Sequence, residues 1–367
     1  MREGWTYKKL NEVCDKGSSN IVINKLEDNN GDYPLYGASG LVKNVDFYHQ
    51  DKPYIGIVKD GAGVGRVNTY PAYSSLVGTM QYIFAKEDCL LDYIKYFLVK
   101  LDLSHCVSGA TIPHIYFKDY GKERIPVPSL SEQQSIVAEL DKINELISLK
   151  KAQLSDLDSL AQSIFYDMFG DPIENEKGWE VKKLGEICNI GTGATPSRIQ
   201  ENRYYGGNIP WVKTTEVCYQ DIYDTEEKIT PLAIEETNCK LYPEGTLLMA
   251  MYGQGKTRGQ VAKLMVPAAT NQACAAIIVN VEKLHIDYLY MFLIIQYDNI
   301  RAMAQGGNQA NLNMKLVGSI SIPLPPLSLQ QEFAKRIELI EQQKAQIGST
   351  IKDLETLLAS RMQYWFD

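Results

Sequence analysis

A glycine-rich segment in the second half of the chain gathers side chains that can bind a nucleic acid. Residues 252–260 read YGQGKTRGQ and combine two cations and two glutamines with three glycines. Arg and Lys donate to guanine edges and phosphates, Gln and Asn pair with adenine edges, and glycine lets backbone approach a duplex. Glycine and asparagine also serve tight turns without any ligand, so turn chemistry alone is the alternative interpretation.

Three further loops have a similar character. Residues 306–313, GGNQANLN, are rich in amides, and Lys315 follows them. In the first half, KDGAGVGRVNTY at 59–70 and SGATIPHIYFK at 108–118 occupy comparable positions. The glycines at 60–65 superficially resemble a nucleotide-binding loop, but no long amphipathic helix follows them, and we interpret them as a turn.

The residues that catalysis or metal binding would need are missing from the sequence. It has no N-P-P-aromatic motif for base methylation and no convincing nuclease carboxylate cluster. The segment 253–257 resembles the end of a phosphate loop, but position 250 is Ala where that motif requires Gly. Seven scattered cysteines without a C-x-x-C pair, and only four histidines, argue against disulfide and zinc frameworks. We therefore expect a binding protein without metal, cofactor or catalytic residues.

The chain contains an internal repeat. GWTYKKLNEVCDKG at 4–17 aligns with GWEVKKLGEICNIG at 178–191 at an offset of 174 residues. IPVPSLSEQQSIVAEL at 125–140 aligns with IPLPPLSLQQEFAKRI at 322–337 at an offset of 197. The sequence is thus a tandem duplication whose second globular part is about two dozen residues longer. We interpret Trp5 and Trp179, at the start of the copies, as packing anchors.

Each copy ends in a segment with the apolar spacing of a coiled-coil helix. Apolar residues recur at alternating steps of three and four, which predicts a narrow seam that needs a partner helix. Ser131 with Gln134, and Ser328 with Gln331, suggest capping boxes at the two starts. Connectivity favours antiparallel pairing, with the globular domains at opposite ends of a rod. The seam residues are Ile136, Leu140, Ile143, Ile147, Leu154, Leu157, Ala161, Ile164 and Met168, and then Phe333, Ile337, Ile340, Ile347, Ile351, Leu354, Leu358 and Trp365.

Charge and hydropathy limit the partners and the location. The formal net charge of −8 at first argues against a nucleic-acid partner, because phosphate binding needs a positive contact face. Residues 129–177 carry −6 of it, whereas residues 1–128 are neutral, so the acidic excess belongs mainly to a helical segment. The longest apolar run, near 289–295, is too short to span a bilayer, and we expect a cytoplasmic protein without membrane contact.

The order of the elements resembles a known family. A globular domain, a helix, a second domain and a second helix, with I-P-[VL]-P-x-L-S-x-Q-Q opening each helix, resemble the specificity (S) subunit of a Type I restriction-modification enzyme. Five segments resemble the second target recognition domain of that family, and IPWVKTT has no clear counterpart in the first domain. The segments are GWEVKKLGEI, IPWVKTTEV, LLMAMYGQGKTRGQVAKL, TNQACAAI and GGNQANLNMKLVGSISIPLPPL.

The resemblance implies a fold and a set of partners. The expected fold is mixed α+β, a pseudo-two-fold tandem repeat of two strand-rich target recognition domains separated by an antiparallel coiled coil of two long helices. The expected boundaries are domains at 1–128 and 171–325 and spacer helices at 129–170 and 326–367. The implied function is non-catalytic recognition of a bipartite, asymmetric site on double-stranded DNA. Methylation (M) subunits would dock on the helices, and restriction (R) subunits would join through them.

We expect the DNA contacts to come from the loops described above and from two weaker segments that follow Pro196 and Trp211. His114 can equally be a structural histidine. The candidates in the first domain are Lys59, Arg66, Asn68, Tyr70, Thr111 and His114. Those in the second domain are Ser197, Arg198, Lys213, Thr214, Tyr252, Gln254, Lys256, Arg258, Gln260, Asn308, Gln309, Asn311 and Lys315.

Three other interpretations stay open at this point. The duplication can belong to a structural protein with two similar modules. The chain can be a scaffold whose rod spaces two protein-binding modules without DNA, which the overall acidity favours. It can also be part of a larger restriction-methylation enzyme whose catalytic part lies on another chain.

Overall fold

The computed structural model describes residues 4–109, 113–253, 255–304 and 311–367. The chain divides into two compact units. One contains Met1–Ala152 and Ile347–Asp367, and the other contains Gln153–Gln346. Each unit therefore combines a strand-rich domain with parts of two long helices, and the expected α+β fold is confirmed. The four domain boundaries drawn from the sequence stay a prediction.

In the part of the first unit that the structure describes, nine strands and three short α-helices precede the long helix. The strands are β1 (Thr6–Lys9), β2 (Cys14–Ser18), β3 (Tyr33–Gly37), β4 (Gly40–Val45), β5 (Tyr54–Val58), β6 (Val67–Tyr70), β7 (Ser75–Leu76), β8 (Met80–Ala85) and β9 (Arg124–Val127). The helices are α1 (Leu10–Val13), α2 (Leu91–Leu101) and α3 (Phe117–Tyr120).

Three sheets organise these strands, in the orders β2-β8-β5-β6, β4-β3-β7 and β1-β9. Strand β5, YIGIV, is buried along its whole length, as expected for a continuous apolar run at the centre of a domain. One core cluster joins the four-stranded sheet to α2, and a second lies around Leu35, Tyr54 and Tyr82.

The second unit repeats this plan. After the first long helix, α4 (Leu130–Phe169), its sheets have the orders β11-β17-β14-β15, β13-β12-β16 and β10-β18. Its strands are β10 (Glu180–Lys183), β11 (Cys188–Thr192), β12 (Tyr205–Val212), β13 (Lys228–Ile229), β14 (Leu247–Ala250), β15 (Val261–Lys263), β16 (Ala269–Thr270), β17 (Cys274–Val279) and β18 (Ser321–Leu324). Its helices are α5 (Leu184–Ile187), α6 (Glu201–Tyr204), α7 (Pro231–Glu236), α8 (Ile286–Ile295), α9 (Tyr297–Ala302), α10 (Met314–Gly318) and then α11 (Leu327–Phe366).

Each two-stranded sheet leads from its domain into a long helix by the same contact. The Tyr93 hydroxyl donates to the Pro126 carbonyl at 2.9 Å, and the Tyr288 hydroxyl donates to the Pro323 carbonyl at 2.7 Å. Both tyrosines are buried, so each phenol needs such an acceptor. The proline-containing strands β9 and β18 are thereby fixed against α2 and α8 just before the long helices begin.

The predicted capping boxes were wrong in position. Helix α4 begins at Leu130, and the Ser129 hydroxyl accepts from the Glu132 N–H while the Glu132 carboxylate accepts from the Ser129 N–H at 3.1 Å. The box therefore lies two residues before the predicted Ser131. Helix α11 begins at Leu327, one residue before Ser328, and the Pro326 carbonyl accepts from Leu329 and Gln330. A proline is well suited to a helix start, because its missing N–H has no partner to lose there.

The seam predicted from the apolar spacing is largely buried, and pairing within each unit is antiparallel. In the first unit, Glu139 bonds Arg361 and Lys151 bonds Glu355, so advancing along α4 means moving back along α11. In the second unit, Asp158 pairs with Lys344 at 2.9 Å, and Phe165 packs on Phe333 with ring centroids 5.7 Å apart. The antiparallel prediction is confirmed within each unit.

The last turn of each long helix completes the core of a domain. In the first unit, Phe366 of α11 lies against Tyr93, with ring centroids 5.1 Å apart. In the second unit, Phe169 of α4 lies against Tyr288, with centroids 4.7 Å apart. Trp5 stacks on Trp365, and the indole N–H of Trp179 donates to the Phe169 carbonyl at 2.8 Å, which fits their interpretation as anchors. Within the described ranges, no helix is long and apolar enough to cross a membrane.

Candidate nucleic-acid interface

The glycine-rich segment of the second unit is the loop of a β-hairpin. It joins β14 to β15, and the Gly259 N–H closes it by donating to the Ala250 carbonyl at 2.8 Å. Gly253, Gly255 and Gly259 have φ angles of +141°, +63° and +89°. Residues other than glycine adopt such backbone conformations only at a cost in free energy. Tyr252 and Lys256 are exposed on this loop, and Gln254 lies outside the described residues.

Helix α9 supports this loop through contacts that sequence reasoning missed. The Tyr297 hydroxyl donates to the Lys256 carbonyl at 2.5 Å, and the Arg301 guanidinium donates to the Arg258 carbonyl at 3.3 Å and to the Tyr297 hydroxyl at 2.7 Å. A methyl group added at Gly259 would lie 3.1 Å from the Arg301 side chain. Arg258 and Gln260, both partly exposed, are therefore held on a supported backbone.

The described end of the amide-rich segment, residues 311–313, lies beside this hairpin loop. The Leu312 N–H donates to the Met251 carbonyl at 3.0 Å, which joins the two segments at the first residue of the loop. Asn311 is partly exposed, and Lys315 is exposed on α10. Asn308 and Gln309 lie outside the described residues.

The first unit builds the equivalent hairpin loop between β5 and β6. The Gly65 N–H donates to the Val58 carbonyl at 2.8 Å, and Gly61, Gly63 and Gly65 all have φ of +86°. The interpretation of this glycine segment as a turn is confirmed. Arg66 follows the loop, is exposed, and has its guanidinium folded across Gly63.

The second loop of the first unit docks on the same residue of its hairpin. The Ile115 N–H donates to the Lys59 carbonyl at 2.9 Å, as Leu312 does to Met251. His114 pairs its backbone with Ser108, and its ring lies edge-on to Tyr116 with centroids 4.9 Å apart. His114 thus has structural contacts while remaining partly exposed beside the hairpin loop. Thr111 lies outside the described residues.

In each unit, a third segment connects the hairpin loop to a neighbouring strand. In the first unit, the Lys59 N–H donates to the Thr79 carbonyl at 2.9 Å and the Val77 N–H donates to the Tyr36 carbonyl at 2.9 Å. In the second unit, Met251 donates to Ala273 at 2.8 Å and Asn271 donates to Val212 at 3.1 Å. Four segments therefore converge at one place in each unit, with the same hydrogen bonds and different side chains.

This shared geometry supplies the counterpart of IPWVKTT that the sequence did not reveal. Trp211 pairs in parallel with Ala269, and Leu35 pairs in parallel with Ser75. Pro210 precedes one residue and Pro34 the other, so the segment YPLY of β3 is equivalent to IPWV of β12. A leucine in place of the tryptophan, and a different loop behind it, had hidden the relationship.

Two predicted cations of the second unit are engaged inside their own domain. The Lys213 ammonium donates to Glu226 at 2.6 Å, and this bond raises the pKa of Lys213 above its usual value. Arg198 donates to Glu227 at 2.6 Å, which raises the pKa of Arg198, and its guanidinium lies 4.0 Å from the centre of the Tyr205 ring. Thr214 is partly exposed and Ser197 is exposed. These four contacts stay predictions.

The remaining candidates of the first unit differ in accessibility. Lys59 is partly exposed with its ammonium 3.8 Å from Asp60, and Asn68 is exposed. Tyr70 is only 8% exposed and packs on Tyr36 with ring centroids 4.7 Å apart. Burial raises the pKa of Tyr70. Its role here is packing, and its predicted DNA contact has little accessible surface to support it.

The structure thus groups eight of the fifteen described candidates into one surface per unit. The first surface carries Lys59, Arg66 and His114, and the second carries Tyr252, Lys256, Arg258, Gln260 and Asn311. Among the residues that the structure describes, no three His, Cys, Asp or Glu side chains lie together in a way that could hold a metal ion.

The chain resembles known proteins both in sequence and in structure. The sequence matches the Type I restriction modification DNA specificity domain over residues 2–158 and 176–355. It is 23% identical over 277 residues to the MjaIX specificity subunit of Methanocaldococcus jannaschii, covering 70% of this chain and 63% of that protein. It is 27% identical over 261 residues to the EcoR124I/EcoR124II specificity subunit of Escherichia coli, covering 68% of this chain and 63% of that protein. Both alignments span less than two thirds of these relatives.

Two solved structures share the fold along nearly the whole chain. The Type I restriction-modification S subunit from M. genitalium has a TM-score of 0.59 at 16% identity and covers 99% of this chain and 96% of that one. A chain from work on complex assembly and conformational transition of the type I R-M system has a TM-score of 0.58 at 16% identity, with coverage of 100% and 98%.

Proposed function

The chain belongs to the Type I restriction modification DNA specificity family, and from this premise we propose that it is the non-catalytic subunit that recognises DNA for such a system. It reads a bipartite, asymmetric site on double-stranded DNA, with one half-site for each strand-rich domain. Methylation subunits dock on the paired long helices, and restriction subunits join through them. The assembled complex works in the cytoplasm.

The observation that carries this proposal is the repeated convergence of four segments in each unit. Both units hold a glycine hairpin loop and a second loop together by the bonds Ile115 to Lys59 and Leu312 to Met251. The two units thus have the same backbone arrangement at this surface, which supports the same kind of ligand for both. Because sequence is read by side chains at base edges, the different side chains on the two surfaces support two different half-sites.

The distribution of charge supports a DNA ligand in spite of the acidic total. Lys256 and Lys315 are exposed around the second surface, and Arg66 is exposed at the first. The Asp and Glu residues between positions 129 and 177 lie mainly on α4. Several of them pair with cations there, as Asp158 does with Lys344. A local positive face can bind phosphates although the whole chain carries a net charge of −8.

The test is sequence-specific methylation by the assembled complex. The full chain would be expressed with its neighbouring methylation subunit, and the methylated positions in the host DNA would be mapped. We expect one sequence split into two parts by unread bases. Formation of the complex without any split methylated sequence would contradict the proposal.

Duplex binding by the same complex separates DNA recognition from a scaffold that spaces two protein-binding modules. Phosphate contacts release counterions, so binding should weaken steeply between about 50 and 200 mM salt. A complex that forms but shows no salt-sensitive duplex binding would favour the scaffold.

A further inference from the structure

The tip of the β3–β4 hairpin lies beside the recognition surface of the first unit. The Arg66 guanidinium donates to the Ala38 carbonyl at 2.8 Å, which fastens the turn between the two strands to the end of the glycine hairpin loop. The pairs Tyr36–Leu41 and Gly37–Gly40 close the ribbon around Ala38 and Ser39. The tip is therefore continuous with the surface that carries Lys59, Arg66 and His114.

The apolar side chains of β4 at this tip are open to solvent. Leu41 and Val42 follow one another on β4 and are 61% and 39% exposed. Val42 is the extra residue of a bulge, because Leu35 pairs with Lys43 and Tyr36 pairs with Leu41. Strand β4 is at the edge of its sheet, and the next core residue along it is Val45. Ala38 packs against the core cluster of Leu35 and Tyr54, whereas Ser39, Leu41 and Val42 present their side chains to solvent.

The backbone of the tip depends on glycine. Gly40 has φ of +111°, a conformation that other residues rarely adopt. A side chain there would meet no atom within 4 Å, so open space surrounds this residue and its glycine serves the backbone conformation. A short, narrow turn with an exposed Ser39 hydroxyl results.

Residues 213–227, all of which the structure describes, form no such ribbon at the equivalent place in the second unit. After Val212 the chain forms a short 3-10 turn at Thr214–Glu216 and returns to its sheet only at β13, and the Lys213 ammonium bonds Glu226. The surrounding contacts are conserved between the units, since Asn271 bonds Val212 as Val77 bonds Tyr36. The ribbon is therefore an element by which the two recognition surfaces differ.

We propose that the β3–β4 tip, residues 38–42, enters the major groove of duplex DNA and determines part of the half-site read by the first unit. The proposal rests on the function proposed above. A two-stranded ribbon fits the B-DNA major groove, apolar side chains contact the thymine methyl group there, and hydroxyls bond phosphates or base edges. Leu41 and Val42 supply the apolar contacts, Ser39 supplies the hydroxyl, and Arg66 holds the tip in place.

The experiment uses the full chain in complex with its methylation subunits and a duplex that carries the methylated sequence. Val42→Glu places a carboxylate in the groove, and the matched control, Val99→Glu, places one at a valine of α2 that is 44% exposed in the same domain. We expect the Kd to rise about tenfold or more for Val42→Glu, because a lost base contact and phosphate repulsion act together, and to stay within about twofold for the control. Thermal melting of both variants verifies folding.

A second measurement does not depend on a folded Glu variant. The photoreactive amino acid p-benzoylphenylalanine replaces Leu41, Lys256 or Val99 in turn, and cross-linking to the duplex is scored. We expect cross-links from positions 41 and 256 and none from 99. A cross-link from 256 without one from 41, or a folded Val42→Glu variant that binds like the control, overturns the ribbon proposal and leaves the proposed function standing. A wild-type complex without specific DNA binding overturns both.

Discussion

The side-chain oxygen of Gln133 accepts a hydrogen bond from the backbone N–H of Leu90 at 2.8 Å. This bond joins the first turns of α4 to the residue that precedes α2. The Gln133 amide also donates to the carbonyls of Asp88 and Pro128, at 2.9 and 3.0 Å. Gln330 repeats the contact in the second unit by accepting from the His285 N–H at 2.8 Å. One fully buried glutamine in the first turns of each long helix thus fixes that helix to its domain.

Replacing Gln133 by Ala should destabilise the first unit. The change leaves the Leu90 N–H and two carbonyls without their partner, and each buried unsatisfied group costs about 1–3 kcal/mol. With partial access of water, we expect the free energy of unfolding to fall by about 2–4 kcal/mol. Urea unfolding measures the loss, and hydrogen exchange should show faster exchange of the Leu90 amide. The control is Gln134→Ala at the exposed neighbour, and equal losses in the two variants would contradict the assignment.

The pair of Glu139 and Arg361 should make the stability of the first unit depend on acid pH. The Arg361 guanidinium bonds the Glu139 carboxylate, with the Trp365 indole N–H also donating at 3.1 Å, and these bonds hold the pKa of Glu139 below its usual range. A carboxyl whose pKa is lower in the folded state stabilises above its unfolded pKa of about 4.3, and this stability is lost as pH falls through the folded value.

Glu139→Gln should therefore lower the urea midpoint of the first unit at pH 7, with a difference from wild type that shrinks as pH falls below about 4. Glu145→Gln, at an exposed carboxylate of the same helix, provides the control and should show little difference at any pH. A difference between wild type and Glu139→Gln that persists unchanged at pH 3 would count against the ion pair as its source.

Phe366 should be needed for the first unit and Phe169 for the second. Both rings are buried against the tyrosine of the adjacent domain helix, Tyr93 or Tyr288. Phe366→Ala should cost about 3–5 kcal/mol through lost burial and the cavity left behind. Hydrogen exchange should show faster opening of α2 in this variant and little change in α8, with the reverse for Phe169→Ala. Tyr364→Ala, at an aromatic residue 55% exposed, is the control for the first unit.

Arg258→Ala should impair the reading of one half-site only. Its backbone is held by Arg301, so the loop should keep its conformation when the side chain is shortened. A lost bidentate base contact costs about 1–3 kcal/mol, which corresponds to a loss of discrimination of about 5- to 150-fold at that position. The methylated sequence of the variant complex should be relaxed in one half and unchanged in the other. Arg203→Ala, at an arginine paired with Glu236, is the control, and equal relaxation of both halves would contradict the assignment.

Sequence alone determined the architecture because its signals repeat locally. The two copies of GW-x-x-KKL and of IP-x-P-x-LS-x-QQ, at different offsets, indicated a duplication with divergent middles. The apolar spacing from Ile136 and from Phe333 predicted two long helices, since a narrow stripe at that period can be covered only by another helix. The glycine turn at 60–65 followed from composition in the same way.

Only the tertiary structure decided which residues form each surface. The hydrogen bonds of Ile115 to Lys59 and of Val77 to Tyr36 join segments distant in sequence, and backbone bonds of this kind leave no trace in residue type. The equivalence of Leu35 and Trp211 was hidden because the residue type and the loop that follows differ. The support that the Arg301 and Tyr297 side chains give the hairpin loop of the second unit was hidden because α9 is distant from that loop in sequence. The duplicated helices could be recognised from apolar spacing, whereas the two recognition surfaces exist only where four separate segments meet.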